Sequence, residues 1–109
     1  FAIPAFNVYN METVMGVIRA AERQNAPVIL QNYSRLVTNE EGYFLAPIII
    51  AAAEKASVPV CYHLDHGASE VEVMRTLRYG ATGIMIDKSA LPMEENIAGT
   101  KNVVEACKS

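Results

Sequence analysis

Both histidines of the chain lie in one short segment, His63-Leu64-Asp65-His66-Gly67, directly after an apolar run that reads as a buried strand. Polar side chains at the end of an apolar strand are costly to desolvate unless they have a partner or a task. A carboxylate between two imidazoles suits acid–base catalysis or the binding of a divalent metal. This segment is therefore the first candidate for a functional site.

The other predicted strands also end in polar residues. In α/β folds the carboxyl ends of parallel strands form the face on which sites are built. Asp87 could add a second carboxylate to the same cleft, although an aspartate at a strand end also commonly satisfies loop amides. The remaining polar residues at strand ends are Asn7, Gln31, Asn32, Ser34 and Ser89.

Side-chain alternation along the third strand gives each of its polar residues a side. The period of two places His63 and Asp65 on one side and His66 on the other. His63, deeper in the strand, is predicted to be a buried, hydrogen-bonded structural residue. Asn7 either lines the cleft or forms a hydrogen bond within the turn after its strand.

Four near-continuous apolar runs predict the strands that position these residues, and such runs are typical of a parallel sheet covered on both faces. Their apolar starts lie 25, 32 and 24 residues apart, gaps that suit βαβ crossovers and exclude hairpins. The predicted strands are Ala2–Val8, Pro27–Asn32, Pro59–Asp65 and Gly83–Asp87.

Helix signals fill the gaps between these strands. Asn10 can cap the first helix, Ser69 and Glu72 have the spacing of a capping box, and Gly80 lies where that later helix should end.

The region after the second strand is harder to assign. Thr38 and Glu41 also match a capping box, but Pro47 would then lie inside the helix, at a cost of about 3 kcal/mol. The sequence therefore predicts a long loop over residues 33–41 and a helix that starts within residues 42–46, or one that kinks.

Successive βα units permit a doubly wound sheet or part of a (β/α)8 barrel. A doubly wound sheet would normally carry a glycine-rich phosphate loop after the first strand, but the segment Phe6–Asn10 contains no glycine. Regular repetition with polar residues at several strand ends favours the barrel, which takes about 250 residues. Residues 1–109 are thus expected to form the N-terminal half of one barrel domain.

Composition excludes several classes of function. The net charge is −3 and no basic cluster occurs, so no nucleic-acid partner is expected. The longest apolar run, residues 43–53, is shorter than the roughly 20 residues that a bilayer requires, so no membrane partner is expected. Cys61 and Cys107 are isolated, as in a reduced cytoplasmic protein.

Four segments in order resemble the class II, metal-dependent ketose-bisphosphate aldolases, the family of fructose- and tagatose-bisphosphate aldolases. Their order and spacing are more specific than any one of them, and they span nearly the whole chain. The segments are Phe1–Asn7, Ala26–Leu30, His63–Gly67, and Ile84–Ser89 continued by Glu94–Ile97.

The resemblance implies a (β/α)8 barrel enzyme of carbohydrate metabolism, such as glycolysis, in the cytoplasm. Its activity would be the reversible cleavage of a ketose 1,6-bisphosphate to dihydroxyacetone phosphate and an aldehyde. The implied cofactor is Zn²⁺, with a second divalent or monovalent cation as an option. The implied partners are the phosphorylated ketose and further copies of the same chain, as a homo-oligomer.

The resemblance also implies roles for single residues. Asp65 matches the proton donor and acceptor, His66 a zinc ligand, and Asp87 a carboxylate at a second or alternative metal position. Asn7 matches a residue near the substrate. A small hydroxyl residue that meets substrate is usual where Tyr33 stands, so either Tyr33 or the next residue, Ser34, takes that contact.

One alternative function stays open. A single metal-ligating histidine cannot hold a catalytic zinc, which takes three protein ligands. A non-catalytic barrel or half-barrel subunit that serves as a scaffold is the second hypothesis, and the altered loop from Gln31 to Thr38 supports it. On the resemblance, the remaining zinc ligands lie beyond residue 109, and the isolated chain is expected to be inactive.

Overall fold

The computed structural model describes residues 1–109 and contains one four-stranded parallel sheet with strand order β1-β2-β3-β4. A sheet whose strands follow chain order throughout has no point at which the order reverses, in contrast to a doubly wound sheet. The elements are β1 (Ala5–Asn7), α1 (Met11–Gln24), β2 (Val28–Tyr33), α2 (Ser34–Thr38), α3 (Glu41–Lys55), β3 (Val60–Gly67), α4 (Glu70–Arg78), β4 (Gly83–Ile86) and α5 (Met93–Lys108).

The strand register brings the polar strand ends side by side. Asn7 of β1 pairs with Gln31 of β2, and Tyr33 at the end of β2 pairs with Asp65 of β3. The polar ends of neighbouring strands therefore meet at one edge of the sheet, as the sequence predicted.

The core lies between the sheet and the helices that cover it. α1 contributes an apolar stripe that fits its predicted helical period, and α3 packs beside it, whereas α4 packs against α2, β3 and β4. The largest buried cluster is Val8, Val14, Ile18, Leu30, Leu45, Ala46, Ile49 and Tyr62, and a second cluster is Val37, Leu64, Val73 and Val103. None of the helices is long and apolar enough to cross a membrane.

Three predicted helix boundaries are confirmed. The Asn10 side chain accepts a hydrogen bond from the backbone amide of Thr13 at 2.9 Å and caps α1. Ser69 caps α4 by accepting a hydrogen bond from the amide of Glu72. Gly80 follows the end of α4 at φ 102°, a left-handed conformation that glycine adopts without steric cost.

The predicted loop after β2 is wrong, and the following helix starts one residue before the predicted range. Residues 34–38 form the short helix α2, and Thr38 ends it rather than capping the next helix. α3 begins at Glu41 and runs through Pro47. Burial of several α3 side chains in the core outweighs the cost of the proline, because tertiary packing supplies most helical stability.

A glycine permits the close contact between α2 and α3. A Cβ atom at Gly42 would lie 2.6 Å from the carbonyl oxygen of Leu36. A side chain at this position would therefore push α2 away from α3.

Asn32 is a polar residue of the core rather than a site residue. Its Nδ2 donates to the Val8 carbonyl at 2.8 Å, and its Oδ1 accepts from the Tyr62 hydroxyl at 3.1 Å. Burial, with a smaller effect of Tyr79, raises the pKa of Tyr62 to about 12, so this hydroxyl remains a donor. The side chain of Asn32 thus joins β2 to the backbone of the first strand end and to β3.

Replacing Asn32 with alanine is expected to lower the free energy of unfolding by about 1–3 kcal/mol, because it leaves a buried hydroxyl and a buried carbonyl without partners. Denaturant unfolding measures the change. Asn102→Ala, at an exposed position of α5, is the matched control and should change stability by no more than about 0.5 kcal/mol. Equal effects of the two substitutions would contradict the role given to Asn32.

Candidate active site

The backbone of His66 changes the direction of its side chain. His66 has φ 53°, in the left-handed region that non-glycine residues rarely adopt, and the pairing of β3 with β4 shifts register between Leu64 and Gly67. Its Nε2 lies 3.7 Å from Asp65 Oδ1. The prediction that His66 points away from Asp65 is therefore wrong, because strict alternation holds only for extended backbone.

His66 and Asp87 form a direct contact between the ends of β3 and β4. His66 Nδ1 lies 2.7 Å from Asp87 Oδ2, and because a carboxylate only accepts hydrogen bonds, this ring nitrogen is the donor. The Asp87 hydrogen bond raises the pKa of His66 against the opposing effect of desolvation, and the charges of Asp65 and Asp87 act in the same direction as the hydrogen bond.

Ser89 holds the other oxygen of Asp87. Its hydroxyl donates to Asp87 Oδ1 at 2.6 Å, and its backbone amide donates to the same oxygen at 3.0 Å. The Ser89 hydroxyl, His66 and the Ser89 amide together hold the pKa of Asp87 well below its usual range. Asp87 therefore contacts both the loop after β4 and the His66 ring, and its role toward a metal stays a prediction.

A second chain of hydrogen bonds reaches Asp65 from the first two strands. Gln31 Nε2 donates to Asn7 Oδ1 at 2.8 Å, and Asn7 Nδ2 donates to Asp65 Oδ2 at 3.2 Å. Gln31 fixes the orientation of the Asn7 amide, so that its NH₂ group faces the carboxylate. The Asn7 side chain thus contacts Asp65 and Gln31 rather than the turn after its own strand, and its contact with substrate stays a prediction.

Tyr33 and Ser34 occupy different environments. The Tyr33 ring is 51% exposed, and its centroid lies 6.5 Å from that of the His66 ring. Ser34 is buried, and its hydroxyl donates to Glu72 at 2.9 Å. The structure therefore brings Tyr33 to the group formed by Asn7, Asp65, His66 and Asp87, and leaves Ser34 outside it.

His63 departs from its prediction in two respects, the first being that the residue is half-buried rather than buried. Its Nδ1 is buried but has no hydrogen-bond partner among residues 1–109, so the expected hydrogen-bonded histidine is not observed. Burial lowers its pKa, opposed by the charge of Asp65. Its ring lies against Gly83, where a Cβ atom would come within 2.7 Å of His63 Cδ2.

Sequence reasoning gave no role to Ser89 or to Gln31 beyond their place at strand ends. For Ser89 a local signal existed, since an aspartate commonly accepts hydrogen bonds from the backbone two residues later. For Gln31 no local signal existed, because its partner lies 24 residues away on another strand.

Residues 1–109 do not form a complete metal site by themselves. No group of three or more His, Cys, Asp or Glu side chains is placed to hold a metal ion. His66 nevertheless has the form of a metal ligand, since a carboxylate binds its Nδ1 and leaves Nε2 as the available nitrogen. These residues fit one imidazole position of a zinc site, which takes three protein ligands.

Known proteins match this chain along its whole length. The model of the family "Fructose-bisphosphate aldolase class-II" matches residues 1–109. The fructose-bisphosphate aldolase of Thermus caldophilus is 43% identical over 106 residues, which make up 97% of this chain and 34% of that protein.

Solved structures agree with the sequence match. The crystal structure of the YdjI aldolase from Escherichia coli K12 superposes with a TM-score of 0.91 at 40% identity, over 96% of this chain and 40% of that one. The fructose-bisphosphate aldolase of Campylobacter jejuni gives a TM-score of 0.75 at 27% identity, over 90% of this chain and 36% of that one.

The chain spans 34% of the length of the Thermus relative and 38% of that of YdjI. Its sheet and helices correspond to the first four βα units of the (β/α)8 barrel of these aldolases, which confirms the predicted fold class. The chain belongs to the class II fructose-bisphosphate aldolase family.

Proposed function

We propose that the complete protein containing this chain is a zinc-dependent aldolase that reversibly cleaves a ketose 1,6-bisphosphate to dihydroxyacetone phosphate and an aldehyde. Residues 1–109 form the N-terminal half of its single barrel domain. The observation that carries the proposal is that Asp65, at the carboxyl end of the sheet, lies between Asn7 and the His66–Asp87 pair. Membership of the family supports the aldolase class, and we propose in addition the ketose bisphosphate substrate and the zinc ion.

Asp65 is the residue that moves the proton. In cleavage, the hydroxyl on the carbon that becomes the aldehyde loses its proton, the carbon–carbon bond breaks, and the bonding pair stays with the dihydroxyacetone phosphate half. A carboxylate within hydrogen-bond reach of that hydroxyl accepts the proton, and returns it in the direction of synthesis. The hydrogen bond from Asn7 orients the carboxylate for this task.

His66 supplies one zinc ligand through Nε2, while Asp87 fixes the ring through Nδ1. A bound divalent cation stabilises the negative charge that develops on the substrate oxygens. In this arrangement Asp87 orients a ligand. Direct binding of a second or alternative cation by Asp87 remains a prediction.

Asn7 and Tyr33 line the substrate side of the cleft. Of the two residues considered for the substrate contact, Tyr33 has the better placement, because its ring is exposed beside His66 while the Ser34 hydroxyl is buried against Glu72. We further propose that the protein acts in the cytoplasm, in line with the free cysteines Cys61 and Cys107 of residues 1–109. Its proposed state is a homo-oligomer.

Retro-aldol activity tests the proposal. The complete protein should cleave fructose or tagatose 1,6-bisphosphate, lose turnover when treated with a chelator, and regain it on addition of Zn²⁺. Turnover that survives complete removal of metal would contradict the metal-dependent mechanism. A zinc-free protein with no turnover on either sugar would favour the non-catalytic scaffold instead.

A further inference from the structure

Glu72 is a buried carboxylate outside the catalytic group. It lies in the first turn of α4 and is only 8% exposed. Its oxygens accept hydrogen bonds from the Ser34 hydroxyl at 2.9 Å, from the Thr38 hydroxyl, and from the Ala68 backbone amide at 2.7 Å. A buried charge with this many donors is held in one position, since losing any of them exposes it to a desolvation cost.

The donors to Glu72 come from both sides of the candidate active site. Ser34 directly follows Tyr33, and Ala68 is the second residue after His66. One carboxylate therefore joins the corner between β2 and α2 to the turn between β3 and α4.

Arg75, three residues after Glu72 on α4, binds the C-terminal end of α2. Its guanidinium donates to the carbonyls of Val37 at 3.1 Å and Thr38 at 3.3 Å. Carbonyls at the end of a helix lack intrahelical partners, and a cation there is favourable. One face of α4 thus holds both ends of α2, a five-residue helix too short to be stable alone.

The turn at His66 requires support of this kind. A non-glycine residue in the left-handed region is strained, so its neighbours must hold it there. On its C-terminal side, Gly67 packs so closely that a Cβ atom would lie 2.7 Å from Leu64 Cδ2, and the next amide, that of Ala68, is bound by Glu72.

We propose that Glu72 is a positioning residue that couples the corner between β2 and α2, which carries Tyr33, to the turn between β3 and α4, which carries His66. The two sides of the active site are then ordered together. The coupling itself follows from the hydrogen bonds of Glu72. Its consequence for zinc and substrate rests on the proposed function.

Hydrogen–deuterium exchange of the complete, metal-free protein tests the coupling. Ser34→Ala removes one donor on the α2 side only, yet it should raise exchange about threefold to tenfold in peptides covering both residues 33–38 and residues 64–69, as expected for losing about one hydrogen bond. Glu70→Ala is the control and should leave exchange in both segments unchanged. Glu70 lies in the first turn of α4 and carries the same charge as Glu72, but it is exposed and its side chain makes no hydrogen bond. Faster exchange confined to residues 33–38 would overturn the proposal and leave Glu72 a local stabiliser.

Zinc affinity gives a second readout. Glu72→Ala should weaken zinc binding by about 10-fold, within the range found when groups that orient metal ligands are lost. Glu72→Gln keeps a carbonyl oxygen for Ser34 and Ala68 and should restore most of that affinity. Unchanged affinity in folded Glu72→Ala would count against the proposal, and if that variant does not fold, the exchange result for Ser34→Ala decides.

These measurements separate the two proposals. A protein without aldolase turnover but with coupled exchange in residues 33–38 and 64–69 would remove the proposed function and keep the coupling. A zinc-dependent aldolase in which residues 33–38 and residues 64–69 exchange independently would keep the proposed function and remove the coupling.

Discussion

Replacement of Asp65 with asparagine is expected to lower kcat for ketose bisphosphate cleavage by about 10²–10⁴-fold, the usual contribution of a positioned acid–base group. Asparagine keeps the size of the side chain and can still accept the hydrogen bond from Asn7, but it cannot take up the proton of the substrate hydroxyl. KM and zinc content should change little, because Asp65 contacts the histidine ring without being its main partner. Steady-state kinetics and elemental analysis of the purified variant measure these quantities.

The matched control for Asp65→Asn is Glu70→Gln, the same chemical change at an exposed position in the next helix. It should leave kcat within about twofold, as expected for a surface substitution away from the site. If Asp65→Asn instead loses zinc in proportion to its activity, then Asp65 is a metal ligand and its assigned role is wrong. Full activity would remove it from the mechanism altogether.

The position of Asp65, His66 and Asp87 at one edge of the sheet could be predicted, because the carboxyl ends of neighbouring parallel strands lie on the same side of an α/β fold. The apolar runs predicted β2 to within one residue at each end, and its last residue, Tyr33, pairs with Asp65 of β3. The direction of His66 could not be predicted in this way. It depends on a positive φ and a shift in pairing between β3 and β4, both of which arise from tertiary contacts rather than from residue period.

The region after β2 shows the same limit. Thr38 and Glu41 have the correct local spacing for a capping box, but the Thr38 hydroxyl binds Glu72, a residue 34 positions away. The buried carboxylate accepts from the hydroxyls of both Ser34 and Thr38, and such charge-assisted hydrogen bonds are the stronger ones, so Thr38 is held at the end of α2. Local patterns thus predicted α1 and α4 correctly and failed where a charge distant in sequence holds the candidate capping residue in another helix.

Replacement of His66 with alanine is expected to have the largest effect of any single change, with loss of zinc and loss of turnover together. A catalytic zinc uses three protein ligands, and removing one commonly abolishes stable binding. Asp87→Asn should be milder, because asparagine can still accept a hydrogen bond from Nδ1. About a 10-fold to 100-fold loss of zinc affinity is expected, the range for groups that orient a ligand.

The comparison of the two variants separates the two roles open to Asp87. If Asp87 orients His66, the Asp87→Asn variant should regain turnover at high zinc concentration, while His66→Ala should not. If Asp87 binds the catalytic cation directly, both variants should fail at every zinc concentration tested. The 2.7 Å contact between Nδ1 and the carboxylate, with the second oxygen already held by Ser89, favours recovery of Asp87→Asn. A His66→Ala protein that keeps stoichiometric zinc and normal kcat would show that the metal site lies elsewhere in the barrel, and the zinc-ligand role proposed for His66 would then be wrong.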